Sequence, residues 1–406
     1  MLRGMGTILL AWELGGGMGH ILPLRAIGQE LVKRGHRVIA ALRELRRADE
    51  LLAGTGISYL AAPIYVEQRK PPFAHIQGFA HILANIGFAD ATSLASLFHA
   101  WNHLFDLVNP DLVICDHAPT ALLALRGRDI PRVNINLAFS CPPDTFPLPY
   151  WWADGKEAPR EQMMRDEQQL TDSVNHLLVS RNRPPVERLA QLLNDIDDVI
   201  LGTYRELDPY GERKAGRYWG HWHTSGVGIE PAWPEGKGPK VYAYLKAVPA
   251  LEDLLWALRA SNAPTLVMAS DIDAATRERH HRGNVRFETR PLELMQVASQ
   301  CDLAILNAGH GTTATMLLAG KPCFLMPIFV EQSLTAQAVA KMGAGRCVPL
   351  NVGRTIETAL RDMLENPSYR QAAQVFAERY KGFTPGEQLP AMTDQFEGIM
   401  DMKSSS

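Results

Sequence analysis

Cysteine is scarce: five are scattered along 406 residues, at positions 115, 141, 301, 323 and 347, and none forms a C-x-x-C pair. An odd, dispersed set of thiols excludes a disulfide framework and a structural zinc site, and predicts buried, reduced cysteines. Surplus positive charge is also missing. Lys and Arg number 41 against 44 Asp and Glu, a net charge of −3, which lacks the basic excess a phosphate backbone demands and excludes nucleic acid as a partner. No run reaches the ~18 to 20 uncharged apolar residues of a membrane span. The opening MLRGMGTILLAWELGGG sets one Arg before a short apolar run that ends in Glu13 and glycines, unlike a signal peptide. The expectation is a cytoplasmic protein without a transmembrane segment.

What is present is an ordinary globular composition, 46% hydrophobic and 21% charged, with 32 Gly and 27 Pro, which excludes collagen-like and disordered classes. At roughly 150 residues per domain the length suggests two to three domains. Residues 7–12 are apolar, 15–19 form a glycine loop, and Ile21, Leu24, Ile27 and Leu31 recur at helical spacing with Pro23 expected in the first turn. Gly35 ends this helix and 36–42 read as the next strand, a β-loop-α-β unit of the kind that builds parallel sheets. Strands follow at 111–115 and 132–135 around a helix at 118–125, and 77–107 reads as largely helical. An irregular stretch at 217–240 precedes a second β/α series: strands at 241–245, 265–269, 285–288, 303–306 and 323–326, helices at 292–298, 312–319 and 333–342. The predicted organisation is an N-terminal Rossmann-like domain at 1–225, a linker at 226–240, a second Rossmann-like domain at 241–385, and a C-terminal helix and tail at 386–406. Two doubly wound α/β halves of this kind place a ligand cleft at the carboxyl ends of their strands.

Residues 303–332 read LAILNAGHGTTATMLLAGKPCFLMPIFVEQ. A strand, a glycine turn from Asn307 to Gly311 and a helix opening at Thr312 present unsatisfied N–H groups and the positive end of a helix dipole, an anion site that fits a nucleotide diphosphate. Gly and Thr equally suit the cap of any strand-to-helix turn, so the motif by itself leaves both readings open.

The segment resembles the donor-binding signature of the family 1 glycosyltransferases, with Gly309, Gly311, Thr312, Gly320, Pro322, Pro327, Glu331 and Gln332 matching in order. Residues 17–38, GMGHILPLRAIGQELVKRGHRV, are similar to the family's N-terminal G-H-x-x-P and G-H-x-V pattern. PDLVICD at 110–116 resembles its mid-domain strand ending in Asp, and 201–220 the stretch ahead of its linker. The resemblance spans nearly the whole chain and points to the UDP-glucuronosyl/glucosyltransferase-like group, of bacterial macrolide and natural-product type. It implies the GT-B fold, two Rossmann-like domains facing a cleft with the C-terminal helix crossing back to the first. It also implies inverting, metal-independent transfer of a hexosyl group from a UDP- or dTDP-sugar to a hydroxyl of a small or lipid-like acceptor, with no cofactor beyond the sugar nucleotide.

By that resemblance His20 falls on the catalytic base and Asp116 on its partner. A neutral imidazole, with an ordinary pKa of about 6.5, can take a proton from an acceptor hydroxyl near neutral pH. A carboxylate on the far ring nitrogen would fix the tautomer and stabilise the imidazolium. Without the resemblance, His20 reads as a loop-to-helix cap and Asp116 as the N-cap of the next helix. The donor side takes in Gly17 and Gly19, whose loop lets backbone pass close to phosphate, the Asn307 to Thr312 turn with His310, and Glu331 and Gln332, which align with the pair that holds sugar hydroxyls or else cap the helix near Ser333. A dinucleotide fingerprint is excluded, because His20 occupies the third-glycine position counted from Gly15 and the following strand lacks a terminal acid.

Several positions depart from the family pattern. Asn307 replaces the pyrophosphate-binding His, Thr315 the Glu that holds the ribose, and Lys246-Ala247 the usual G-S or G-T. The segment 287–295, with Leu292, replaces the Trp that stacks on the base. Lys246 is expected to supply the charge missing at 307. Aromatic and His residues at 73–103 and 139–152 are expected to border the acceptor side or to pack as core. The alternatives are a non-catalytic nucleotide-sugar-binding protein built on a degenerate transferase, and a sugar-nucleotide epimerase or hydrolase, which would need further carboxylates. No metal site is expected.

Overall fold

The computed structural model describes residues 5–66, 70–151, 159–211, 213, 217–222, 228–244, 246–269, 272–281, 283–350 and 353–404. Trp152 of the aromatic segment, residues 212 and 214–216 ahead of the linker, 226 and 227 within it, and Leu245 of the 241–245 strand lie outside the described residues. The chain divides into two compact units, one of Met1–Thr203, Glu212–Trp222 and Gly386–Ser406, the other of Tyr204–Gly211 and His223–Pro385.

The first unit is built on a seven-stranded sheet of β1 (Thr7–Trp12), β2 (Arg37–Leu42), β3 (Ser58–Ala61), β4 (Leu112–Asp116), β5 (Arg132–Asn136), β6 (Asp198–Leu201) and β7 (Arg217–Tyr218). Its order is β3-β2-β1-β4-β5-β6-β7 and all pairings are parallel. The central strands ILLAW and LVICD are buried at every position, the continuous apolar run a parallel sheet covered on both faces requires. The chain winds outward through β2 and β3 on one side of β1 and through β4 to β7 on the other. The β1–β4 seam is therefore the topological switch point, where such sheets collect function beyond the strand ends. Trp12 is in register with Asp116 across that seam.

The second unit repeats the plan with β8 (Val241–Tyr244), β9 (Thr265–Met268), β10 (Val285–Glu288), β11 (Leu303–Leu306), β12 (Cys323–Leu325) and β13 (Gly345–Cys347), ordered β10-β9-β8-β11-β12-β13 and parallel throughout. Its switch point is the β8–β11 seam. The helix Pro385–Ser404 sends Met392, Phe396 and Ile399 into the core of the first unit beside Ile27 and Leu31. Arg34 bonds Asp394 and Glu397 at 2.6 and 3.0 Å, and His36 Nε2 meets Glu397 Oε1 at 3.1 Å.

Some expected boundaries differ. Gly17, at φ 78°, lets the first helix begin at Met18, so Pro23 lies in its second turn rather than its first and deprives the Gly19 carbonyl of a partner. The helix expected from 312 begins at His310, and that expected from 333 begins at Val330. Tyr204–Gly211 groups with the second unit because the Tyr204 ring packs on Phe376 and Tyr380, at 5.3 and 4.6 Å. The helix expected over 77–107 is broken by a π-turn at Ala84–Phe88, where Gly87 reaches φ 106°. Phe79, Phe88, Phe98 and Trp101 are buried core. Among the described residues no helix is long and apolar enough to cross a membrane, and Cys115, Cys141, Cys301 and Cys323 are buried thiols.

Candidate functional site

His20 is the third residue of the helix Met18–Lys33, directly after the glycine loop that follows β1. Its Nδ1 lies 3.0 Å from Asp116 Oδ2 at the end of β4, and its ring stacks on Trp12 at 5.2 Å with an 18° tilt. The other carboxylate oxygen, Oδ1, accepts a 2.6 Å bond from Asn136 Nδ2 at the end of β5. The Leu137 N–H donates to Asn136 Oδ1 at 2.7 Å, which fixes the amide orientation and aims its donor at Asp116. Three neighbouring strand ends thus converge on one hydrogen-bonded line. With Asp116 an acceptor on both oxygens, the network assigns the proton of neutral His20 to Nδ1, which makes Nε2 the basic ring nitrogen.

The imidazole side chain retains 14% of its surface and Asp116 9%, so the base is reachable while its partner is enclosed. A cavity of about 20 Å³ under the pair, bordered by Pro23, Ile27, Ile135 and Trp222, has room for about one water. A hydroxyl substrate has to approach from the solvent side of Nε2. Gly15, at φ 79°, lies against that nitrogen, and a Cβ there would overlap it. Gly15→Ala is expected to cut turnover at least 100-fold by covering Nε2, and the left-handed backbone adds a stability cost of about 1–2 kcal/mol. Steady-state rates beside a thermal melt check both. Gly17 needs its positive φ, whereas a Cβ at Gly19 meets nothing within 4 Å. The neighbouring His117 ring is 6.1 Å from His20. Burial, reinforced by His20 and Arg43, pushes His117 down to about 3, so it is neutral and adds no charge against an imidazolium.

At the switch point of the second unit, Asn307 follows β11. Its Oδ1 accepts the Lys246 N–H at 3.0 Å and its Nδ2 donates to the Met326 carbonyl at 2.9 Å, so it ties three strand ends together. The buried amide is thus engaged on backbone through Oδ1 and through Nδ2. The Thr315 hydroxyl donates to the Gly311 carbonyl one turn back, at 2.9 Å, and the side chain is buried. His310 is buried, and burial lowers its pKa to about 4, leaving a neutral ring. The helix His310–Leu318 opens after Ala308 in the left-handed region, at φ 61°, and Gly309, with no side-chain cap. Gly309 is exposed, Gly311 and Thr312 are half-buried, and Lys246 is exposed.

Gln332 Oε1 accepts the N–H groups of Ile328 and Phe329 at 2.8 and 3.4 Å, the capping role, and the Glu331 carbonyl accepts the Thr335 hydroxyl. Leu292 is buried and its segment is pinned by an isolated bridge to Ile229, with Ile229 bonded to the Pro291 carbonyl at 2.9 Å. His99 and His103 stand one turn apart on the helix Ala91–Val108, but no group of three or more His, Cys, Asp or Glu that could hold a metal occurs among the described residues.

Residues 260–391 match the family model of the erythromycin biosynthesis protein CIII-like C-terminal domain. Over 315 residues the chain is 26% identical to a PGL/p-HBAD biosynthesis glycosyltransferase of Mycobacterium tuberculosis, covering 72% of each. A stretch of 99 residues, 24% of this chain, is 34% identical to an uncharacterized glycosyltransferase of Mycobacterium leprae, of which it spans 23%. Among solved structures the glycosyltransferase of kitacinnamycin superposes with a TM-score of 0.74 at 18% identity, covering 97% of this chain and 99% of that one. The Streptomyces sp. SF2575 glycosyltransferase SsfS6, solved with thymidine diphosphate, gives 0.62 at 17% identity over 96% and 99%.

Proposed function

We propose that this chain, a GT-B glycosyltransferase of the macrolide and natural-product type of family 1, is an inverting, metal-independent enzyme that takes its sugar from a nucleoside diphosphate and uses His20 as its base. The observation that carries the reading is the hydrogen-bonded line from Asn136 through Asp116 to the His20 imidazole at the β1–β4 switch point.

The steps follow from those atoms. The acceptor hydroxyl gives its proton to His20 Nε2 as its oxygen attacks the anomeric carbon from the face opposite the nucleotide. The new C–O bond forms while the bond to the diphosphate breaks, which inverts the anomeric centre. Asp116 stabilises the imidazolium through the 3.0 Å bond. The departing diphosphate is met by the backbone N–H groups at the start of the helix His310–Leu318 and by the exposed Lys246. Thymidine diphosphate in a relative of the same fold supports a diphosphate donor, and a helix N-terminus plus one ammonium offsets part of its charge. The acceptor is a hydroxyl of a small or lipid-like molecule. Incubation with a panel of labelled UDP- and dTDP-sugars is expected to give slow donor hydrolysis, or transfer to an added alcohol or phenol, with inverted stereochemistry. Retention at the anomeric carbon, or no turnover with any donor that binds, sinks the reading.

Lys246 carries its own prediction. Charge-assisted bonds to phosphate contribute about 1.5–3 kcal/mol, so Lys246→Ala is expected to raise the Kd for the nucleoside diphosphate by about 10-fold or more. Calorimetric titration measures it, and an unchanged Kd removes Lys246 from the site.

A further inference from the structure

Glu13 is a carboxylate inside the first unit that the chemistry above does not use. It directly follows β1, two residues before Gly15, and only 3% of it is exposed. Both its oxygens are turned on the start of the helix Pro119–Leu125, which begins three residues after Asp116. Oε2 takes the Thr120 N–H at 3.0 Å, and Oε1 takes the Thr120 hydroxyl at 2.5 Å and the Ala121 N–H at 2.7 Å. The Trp101 indole N–H donates to the Thr120 oxygen at 3.0 Å, which turns the hydroxyl proton toward Glu13. The adjoining backbone is tied as well: the Leu14 N–H reaches the His117 carbonyl at 3.1 Å, the Trp12 indole N–H the Leu14 carbonyl at 2.6 Å, and Arg43 the Glu13 carbonyl at 2.8 Å.

The tied segments are the two loops that carry the dyad. One runs from β1 through Gly15 to His20, the other from Asp116 into the next helix. A buried carboxylate is costly unless its oxygens are met, and here burial pushes the group up to about 7 against the opposing pull of its hydrogen bonds. A hydrophobic residue would fill such a site at less cost if packing were all that mattered. We propose that Glu13 is a positioning residue for the reaction: by clamping the loop ahead of His20 to the helix that follows Asp116, it sets the Nδ1–Oδ2 separation and the place of Gly15 beside Nε2. The proposal rests on His20 being the base.

Three variants test it, together with His20→Ala. In Glu13→Gln the amide nitrogen must face the N–H of either Thr120 or Ala121, so at least one clamp bond is lost. Thr120→Val removes the hydroxyl bond to Glu13 together with the one Trp101 makes to that hydroxyl, and Thr120→Ser restores both. Expected are a fall in kcat of about 10-fold or more for Glu13→Gln and a smaller fall for Thr120→Val that Thr120→Ser largely recovers. KM for the donor and the thermal shift given by thymidine diphosphate stay unchanged. The downfield proton resonance of His20 Nδ1–H, read by NMR without substrate and assigned by its loss in His20→Ala, is expected to broaden or move in parallel with kcat. A folded Glu13→Gln with wild-type kcat and resonance overturns the proposal, as does a drop in kcat with the resonance unmoved. If Glu13→Gln does not fold, the Thr120 pair decides by the same two readouts. Full activity in His20→Ala would instead overturn the base assignment, while the resonance still reports whether Glu13 holds the pair together.

Discussion

His20→Ala is expected to lower kcat by roughly 10²–10⁴-fold, the usual contribution of a positioned general base, with nucleoside diphosphate binding unchanged. The imidazole is the group on this line that presents a reachable proton acceptor. Asp116 is enclosed, and Asn136 is engaged on both its donor and acceptor sides. The loss is expected in the chemical step, because the acceptor oxygen must then attack as a neutral hydroxyl. Stability is expected to fall by about 1–3 kcal/mol, since a buried Asp116 keeps its bond from Asn136 but loses the one from His20. The proposed diphosphate site, residues 246 and 309–312, belongs to the second unit and His20 to the first, so calorimetric titration with thymidine diphosphate should give the wild-type Kd. A kcat within about 3-fold of wild type, in a protein that melts normally, removes His20 from the chemistry.

The parts of this site that were legible in the sequence are those fixed by local rules. A buried strand, a glycine loop and a helix stripe mark where β1 hands over to His20, and an apolar strand ending in an acid marks Asp116. Both sit where a doubly wound sheet gathers its ligands, so strand order alone brings residues 96 apart in sequence to within 3.0 Å. Asn136 was not legible. It closes the strand RVNIN as one more polar strand end, and its role depends on β5 lying next to β4, a pairing that only the folded sheet fixes. At Thr315 and Asn307 the sequence leaves the direction of the hydrogen bond open for a related reason. Their side chains can bond outward or back to nearby backbone, and the structure uses the inward option at both. Gln332 shows the same competition resolved as a cap. Helix starts shifted by two or three residues where a glycine took the left-handed or N-cap position, as at Gly17 and Gly309. The grouping of Tyr204–Gly211 with the second unit follows from aromatic packing against residues some 170 positions away, which no local pattern announces.

Asp116→Asn tests the orienting half of the dyad, and Asn136 makes the outcome sharper than a simple loss of charge. In the wild type, Asn136 Nδ2 donates to Asp116 Oδ1, and Asn136 cannot turn round because its own oxygen holds the Leu137 N–H. An asparagine at 116 must therefore keep its carbonyl oxygen toward Asn136 and present its NH₂ to His20 Nδ1. That nitrogen then has to accept, so the ring proton moves to Nε2 and the base is occupied. The expected loss in kcat is about 10³–10⁴-fold, comparable to removing the imidazole, in a side chain of nearly the same shape. Adding Asn136→Asp reverses the polarity of the line. Its carboxylate can accept both the Leu137 N–H and the NH₂ of the new asparagine, which turns that carbonyl toward His20 and returns the proton to Nδ1. The double variant is expected to recover at least 10-fold over Asp116→Asn while staying below wild type, because the orienting carboxylate is now one residue further from the imidazolium. Single-turnover rates of the wild type, both single variants and the double variant measure this coupling. Asp116→Asn with more than about a tenth of wild-type activity, or a double variant no faster than Asp116→Asn, shows that the tautomer is not set along this line.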